Sequence, residues 1–375
     1  VLATPPFLLA VASTLSVFVG LYVLIPALPP YAATFGATKS QIGLVVGIYS
    51  IAATAARLLT GRLLDRLGRK PFVIAGFLLF AAAAASYGLA RSLPALLLLR
   101  VLHGVGWGWA LTAMGTLVAD LAPPARRGEA VGYWGLAPTL AMSFGPLLGS
   151  ALLKRGGNQA AFAAAALLAL GAAALAAPIR EPPHESGAEE RARAGVPHGA
   201  LLPSATVFLS SLSYGAILAF LPVELAASPG RSGLFFTLYA LTILVARPLA
   251  GRLSDRAGRP AVIHPGLAIG ALGTALLGGV QDVRVLAAAA VLYGAGIAGA
   301  VFPGLMALTV DRAPVALRGA ALAVFFSAYD LSIAGGAVLL GPLYDRFGFA
   351  AMALAAAGAV VVSHVGFALG LRREP

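Results

Sequence analysis

GRLLDRLGRK at Gly61–Lys70 and GRLSDRAGRP at Gly251–Pro260 are one motif written twice, 190 residues apart. The same offset pairs Gly43 with Gly233, Tyr49 with Tyr239 and Arg57 with Arg247. DLAPPARRGEA at 120–130 returns as DRAPVALRGAA at 311–321, and Gly-Pro-Leu at 145–147 returns at 341–343. Three blocks in one order at a nearly constant offset mark an internal duplication.

The composition says where the two copies live. Of 375 residues, 59% are hydrophobic and 11% charged, and the mean hydropathy is +0.90. A soluble chain carries roughly 25% charged residues. So few charges cannot cover a soluble surface, which excludes a soluble enzyme and a disordered chain. The net charge of +12 would suggest nucleic acid in a soluble protein. Here it reads as Lys and Arg gathered in the loops of a membrane protein. With no cysteine and five scattered histidines, no metal site and no cofactor is expected. The first apolar stretch, from Phe7, is too long for a signal peptide and lacks its basic flank.

Spans of about 20 apolar residues fall near 7–32, 41–60, 71–90, 94–119, 129–153, 160–179, 201–226, 233–250, 261–280, 285–310, 319–342 and 349–371. That makes twelve, with both termini on one side. Placing the termini inside puts sixteen basic residues in cytoplasmic segments against seven outside, which favours cytoplasmic termini. Residues 180–199, REPPHESGAEERARAGVPHG, read as a solvated linker between bundles 1–179 and 200–375. The expected fold is an all-α integral membrane protein of twelve transmembrane helices in two six-helix bundles. Six spans separate the copies, so they are parallel repeats about an axis along the membrane normal, with a site expected at their interface.

These motifs resemble those of the major facilitator superfamily. Gly61, Leu63, Asp65, Arg66, Gly68, Arg69 and Lys70 match the loop motif between spans 2 and 3. Leu96, Arg100, Gly104 and Gly106 match the span-4 motif, with His103 where Gln is usual. Gly132, Gly145, Pro146 and Gly149 resemble the span-5 antiporter motif, though Ala141 and Ser150 replace glycines. That motif resembles the twelve-span drug:proton antiporter branch.

The resemblance implies a gate at the loop motif. Asp65 would hold the halves together on the cytoplasmic side, with Asp255 as its mirror among Gly251, Arg256, Gly258 and Arg259. The plainer alternative is that these charges only set topology. Asp65 can pair with Arg66 or Arg69, and Asp120 and Asp311 are expected to pair with Arg127 and Arg318. Gly145-Pro146 and Gly341-Pro342 would bend spans 5 and 11.

Arg100 lies inside span 4 on one face with His103 and Gly104, and its counterpart at the 190 offset is Ala290. An intramembrane Arg is a functional candidate by default, or else it snorkels to the headgroups. The resemblance implies a part for it in proton coupling. His103, mid-depth Asp330 and Glu224 near the end of span 7 are the other candidates. Span 1 has no acid, where several antiporters of this resemblance carry the coupling group.

Candidate cavity residues are Phe18, Tyr22, Trp107 and Trp134 in the first half, and Tyr214, Phe220, Tyr239, Tyr293, Phe325 and Tyr329 in the second. They would suit an apolar or cationic solute. GAGIAG at 294–299 is literally GxGxxG, but it lies inside a span with no strand before it, so no nucleotide is read from it. The expectation is therefore a monomeric, non-enzymatic secondary transporter of the inner membrane, exporting a drug-like solute in exchange for protons. The alternatives are uptake or uniport of a small metabolite such as a sugar, and a receptor or enzyme on a transporter-like fold.

Overall fold

The computed structural model describes residues 4–123, 126, 130, 133–181, 198–314 and 317–372. The regular elements among them are helices. The first half holds α1 (Pro5–Val23), α2 (Leu28–Ala33), α3 (Lys39–Leu67), α4 (Lys70–Ser86), α5 (Leu93–Leu121) and α6 (Leu136–Ala176). The second holds α7 (Leu201–Glu224), α8 (Pro229–Ala257), α9 (Pro260–Leu276), α10 (Val283–Tyr293), α11 (Phe302–Arg312) and α12 (Arg318–Arg372).

Local chemistry sets the ends. Proline occupies the first turn of α1, α4, α5, α8 and α9, where its missing N–H has no partner to lose. Ser92 caps α5 by accepting from the Ala95 N–H, and Asp282 accepts from the Arg284 N–H at the start of α10. Between α10 and α11, Gly294–Val301 is a π-helix, so the expected span near 285–310 runs through with a widened middle. The GxGxxG string is this π segment.

Among the described residues, nine helices are long and apolar enough to cross a membrane. Two of them are too long for one crossing. At 1.5 Å per residue the 55-residue α12 would reach roughly 80 Å, against about 30 Å of hydrocarbon. α12 breaks at Gly348, where φ is 82°, and α6 breaks at Gly156 and Gly157. Both breaks fall where the sequence places a span boundary. The chain is an all-α, multi-span membrane protein.

The chain divides into two compact units, Val1–Gly36 with Ile48–Ala188, and Ala37–Gly47 with Glu189–Pro375. The expected boundary put 37–47 in the first half. The difference has a steric cause: a Cβ on Gly43 would lie 1.9 Å from the Ala337 carbonyl oxygen, and one on Gly47 2.6 Å from Val338 Cγ2. The bare backbone of early α3 lies directly against α12.

The repeat survives in three dimensions. In the first unit Gly104 faces the Tyr49 carbonyl, and Gly76 and Gly106 face each other's backbones. In the second, Gly294 faces the Tyr239 carbonyl, and Gly266 and Gly296 face each other. Every residue of the second set is the first plus 190, so the duplication conserves helix contacts as well as loops.

Candidate functional site

The two loop motifs build matching charge clusters. Gly68 adopts φ 84° and Gly258 φ 88°, a left-handed conformation that favours glycine. After Gly68, the N–H groups of Arg69 and Lys70 donate to the two carboxylate oxygens of Glu181 at 2.8 and 3.2 Å. The start of α4 has free N–H groups, which a carboxylate satisfies. Glu181 was expected in a solvated linker; instead this first stretch of the linker is docked. Arg69, 4% exposed, lies 3.3 Å from Asp120 and 3.8 Å from Glu181, as an ion pair whose N–H lies off the hydrogen-bond line.

In the second unit Arg259 donates to Asp311 at 2.8 Å, Asp255 at 2.7 Å and Ser254 at 3.0 Å. The hydrogen bonds it donates to Asp311 and then Asp255 raise the Arg259 pKa above its ordinary value. Asp120 and Asp311 thus pair with the arginine of the loop motif. Arg127 and the Arg318 side chain, their expected partners, lie outside the described residues, as do Gly132 and the side chains at Gly61, Asp65 and Arg66. Arg256 is exposed. A Cβ at Gly251 would meet open space, so no close contact requires that glycine.

A third copy of the loop pattern, Gly341-x-x-x-Asp345-Arg346-x-Gly348, was missed by the sequence reading although its spacing is legible. Gly348 has the same left-handed φ, 82°. Asp345 accepts from the N–H groups of Lys39 and Ser40 at 2.8 and 2.9 Å and from the Ser40 hydroxyl. Burial pushes this carboxyl up, but the Ser40 and Lys39 donors outweigh it and hold its pKa below the usual value. A depressed carboxylate stabilises the fold above its ordinary pKa and loses that contribution as pH falls through the lowered value. Asp345→Asn is therefore expected to cost about 1 kcal/mol at neutral pH, a surface-scale effect because Asp345 is exposed. Melting curves of variant and wild type should differ at neutral pH and converge as pH falls below the lowered carboxylate pKa.

Inside the first unit, Arg100 (5% exposed) and His103 (0%) come together with Tyr87. Tyr87 Oη lies 2.6 Å from His103 Nδ1, and Arg100 Nη1 lies 3.5 and 3.4 Å from those two atoms. The Arg100 guanidinium sits 4.4 Å above the Tyr49 ring. This arginine does not snorkel. Tyr87 carried no sequence signal. Tyr49 carried one, as the repeat equivalent of Tyr239.

The candidate aromatics fall into groups. Phe18 packs on Trp107 at 4.6 Å and on Tyr22 at 6.2 Å. Trp134 stands apart, donating to Thr14 at 2.8 Å. In the second unit Tyr214 stacks with Tyr239 at 6.1 Å and with Tyr329 at 6.4 Å, and Tyr239 with Tyr293 at 5.8 Å. The Tyr293 and Ser213 hydroxyls share a hydrogen bond of 3.0 Å. Phe220 belongs elsewhere, against Tyr344, and Phe325 packs with Phe302 and Phe326. Arg247 donates to the Ala298 carbonyl of the π segment at 3.1 Å. A π segment leaves carbonyls off the α-helical pattern, and this one is taken by a neighbouring helix.

The two acids differ. Glu224 ends α7, where Gln281 donates to it at 2.9 Å and the Tyr344 hydroxyl also donates. Asp330 is half-buried in α12. Gly145 and Gly149 lie against Tyr22 and the Val23 carbonyl, where a Cβ would come within 2.4 Å. Pro146 and Pro342 both lie within helices. No group of three or more metal-ligating side chains occurs among the described residues.

Comparison with known proteins fits this architecture. The Major Facilitator Superfamily matches residues 10–204 and 203–375, and the chain belongs to that family. It is 29% identical over 150 residues to an uncharacterised MFS-type transporter of Methanocaldococcus jannaschii, covering 40% of this chain and 39% of that protein. It is 28% identical over 133 residues to the quinolone resistance protein NorA of Staphylococcus aureus, covering 36% and 34%. The chain thus spans under half the length of these curated relatives.

Among solved structures it resembles a bacterial homologue of the human lysosomal transporter Spinster, with TM-score 0.78, 16% identity and 98% and 96% coverage. It also resembles the nucleoside transporter NupG, with TM-score 0.74, 16% identity and 99% and 100% coverage. At such identity these likenesses show the fold. The chain is a multi-span membrane protein of the Major Facilitator Superfamily with that family's fold.

Proposed function

We propose that this protein takes up a small, ring-bearing organic metabolite that carries hydroxyl or amide groups, by proton symport or uniport. The observation that carries the reading is the tyrosine array of the second unit, Tyr214, Tyr239, Tyr293 and Tyr329, with Ser213 bonded to Tyr293. Aromatic faces stack on a planar or saturated ring, while phenol and serine hydroxyls both donate and accept. A drug-like cation would want a free carboxylate, and Glu224 is already held by Gln281 and Tyr344. The fold likeness to a nucleoside transporter points the same way. Export in exchange for protons, placed first by the sequence, is the second reading. It is favoured by the NorA likeness and by Gly145, Pro146 and Gly149.

In this reading the chain has twelve spans in bundles 1–179 and 200–375 and works as a monomer by alternating access in the inner membrane, with cytoplasmic termini. Asp65 and Asp255 act as gates, and the proton candidates are Asp330, Arg100, His103 and Glu224.

The test is counterflow in proteoliposomes with a labelled nucleoside, a labelled sugar and a lipophilic cation, with and without an imposed pH gradient. A nucleoside or sugar should move, and Tyr239→Ala should reduce its flux about tenfold, the loss of one good stacking contact. Movement of the cation alone, against protons, would replace this reading with the exporter.

A further inference from the structure

Two of the five histidines, His264 and His364, stand 100 positions apart in the sequence and meet in the second unit. His364 Nε2 lies 3.0 Å from His264 Nδ1, and the ring centroids are 5.2 Å apart. Phe367 packs against the His264 ring at 5.1 Å. Both imidazoles are half-buried, and each belongs to a helix long and apolar enough to cross a membrane. An ionisable side chain in such a helix is a functional candidate by default.

A hydrogen bond between helices does not need two histidines. Ser363, the neighbour of His364, already ties α12 to α7 by donating its hydroxyl to the Thr206 carbonyl at 2.9 Å. Two imidazoles offer what hydroxyls do not, a pair of nitrogen lone pairs for a metal ion. The spacing fits that use. Two imidazoles on one tetrahedral ion, with bonds of about 2.05 Å, hold their nitrogens roughly 3.3 Å and their ring centroids roughly 5.2 Å apart. The centroids already stand at 5.2 Å, and the nitrogens have only about 0.3 Å to gain. The rings have to turn, but the helices do not have to move.

We propose that His264 and His364 form a two-histidine site for a divalent transition-metal ion, nickel, copper or zinc, which clips α9 to α12. Imidazole suits these ions. Among the described residues no group of three or more metal-ligating side chains occurs, so water completes the shell. An open site of this kind exchanges its ion, unlike the closed four-ligand sites that build folds. The entry path is short. His264 lies four residues from the Pro260 end of α9, about 6 Å along its axis. His364 lies eight residues from the Arg372 end of α12, about 12 Å.

Loading needs no net proton. In the pair one inner nitrogen donates its hydrogen and the other accepts it. Water takes that hydrogen and returns one to the outer nitrogen of the same ring, so the ring stays neutral. Both inner nitrogens then bond the ion through their lone pairs and displace two of its waters. No electrons change hands. Nothing in this site depends on which solute the protein carries.

The experiment uses the full chain in nanodiscs, without a histidine tag. Copper(II) is titrated in and followed by electron paramagnetic resonance, whose nitrogen splitting counts the bound imidazoles. Wild type should bind one ion per chain through two nitrogens. His264→Gln and His364→Gln should each leave one nitrogen and weaken binding by at least about tenfold, since even the outer partners of metal ligands matter that much. His198→Gln, at an exposed residue, should change neither. Zinc should raise the thermal midpoint of wild type and of H198Q, and leave those of H264Q and H364Q where they are. Glutamine keeps a donor and an acceptor at each position, so these variants are expected to fold.

Wild-type copper held through one nitrogen or none overturns the proposal, whatever the variants do. An unchanged affinity in the H264Q/H364Q double variant would also overturn it, by placing the ion on other groups. A zinc shift that persists in the double variant would do the same.

Discussion

Gly43→Val is expected to prevent the protein from folding to a stable, monodisperse form. A Cβ at this position would lie 1.9 Å from the Ala337 carbonyl oxygen, 2.9 Å from its carbon and 3.0 Å from Phe220 Cζ. The obstruction is backbone in the middle of a helix, which cannot rotate away as a side chain would. Overpacking a core typically costs about 1–3 kcal/mol when neighbours can yield. With no yielding neighbour the expected loss is at or above the top of that range. Valine adds two methyl groups beyond the Cβ, so α3 would have to part from α12 along its early turns. Gly358→Val is the control, because nothing lies within 4 Å of a Cβ there. Thermal melts in detergent and size-exclusion profiles of the two variants check the pair. A stable Gly43→Val protein would mean that early α3 does not rest on α12.

Arg69→Ala is the second large effect. The guanidinium is 4% exposed and faces two acids, Asp120 at 3.3 Å and Glu181 at 3.8 Å. Removing it takes away the cation that both carboxylates face. Breaking a buried pair from one side costs about 3–5 kcal/mol. The acids are 26% and 19% exposed, so the lower end, about 3 kcal/mol, is expected. Arg69→Lys should recover only part, because one ammonium cannot span two carboxylates as a planar fork does. Lys154→Ala, at an exposed site, should change stability by less than about 0.5 kcal/mol. Denaturation midpoints in detergent measure all three. Equal midpoints for Arg69→Ala and Lys154→Ala would show that the cluster is not structural.

The loop motif shows what could be read in advance. Gly68, Gly258 and Gly348 end three copies of one pattern and adopt one backbone conformation, because only glycine reaches that φ without strain. Glycine and proline act locally, so their spacing is visible in the sequence. Partners in ion pairs are not local. Asp120 lies with Arg69, 51 positions earlier in the chain, a partner that its own segment does not name. Glu181 looked like part of a solvated linker until its oxygens were seen on the first N–H groups of α4. The ten candidate aromatics show the same limit. Residue type could nominate them, but helix rotation decides that four tyrosines stack while Phe220 and Phe325 pack elsewhere.

Composition, hydropathy and the 190-residue offset determined by themselves that this is a duplicated, multi-span helical protein of the membrane. These are properties of short segments and of their repetition, fixed by the need to satisfy every backbone group within lipid. The tertiary structure alone decided that early α3 packs with the second unit, that Tyr87 completes the Arg100–His103 cluster, and that Asp345 holds the start of α3. Each of these joins residues distant in sequence or on separate helices. Such contacts depend on how helices approach and rotate, which no single segment encodes.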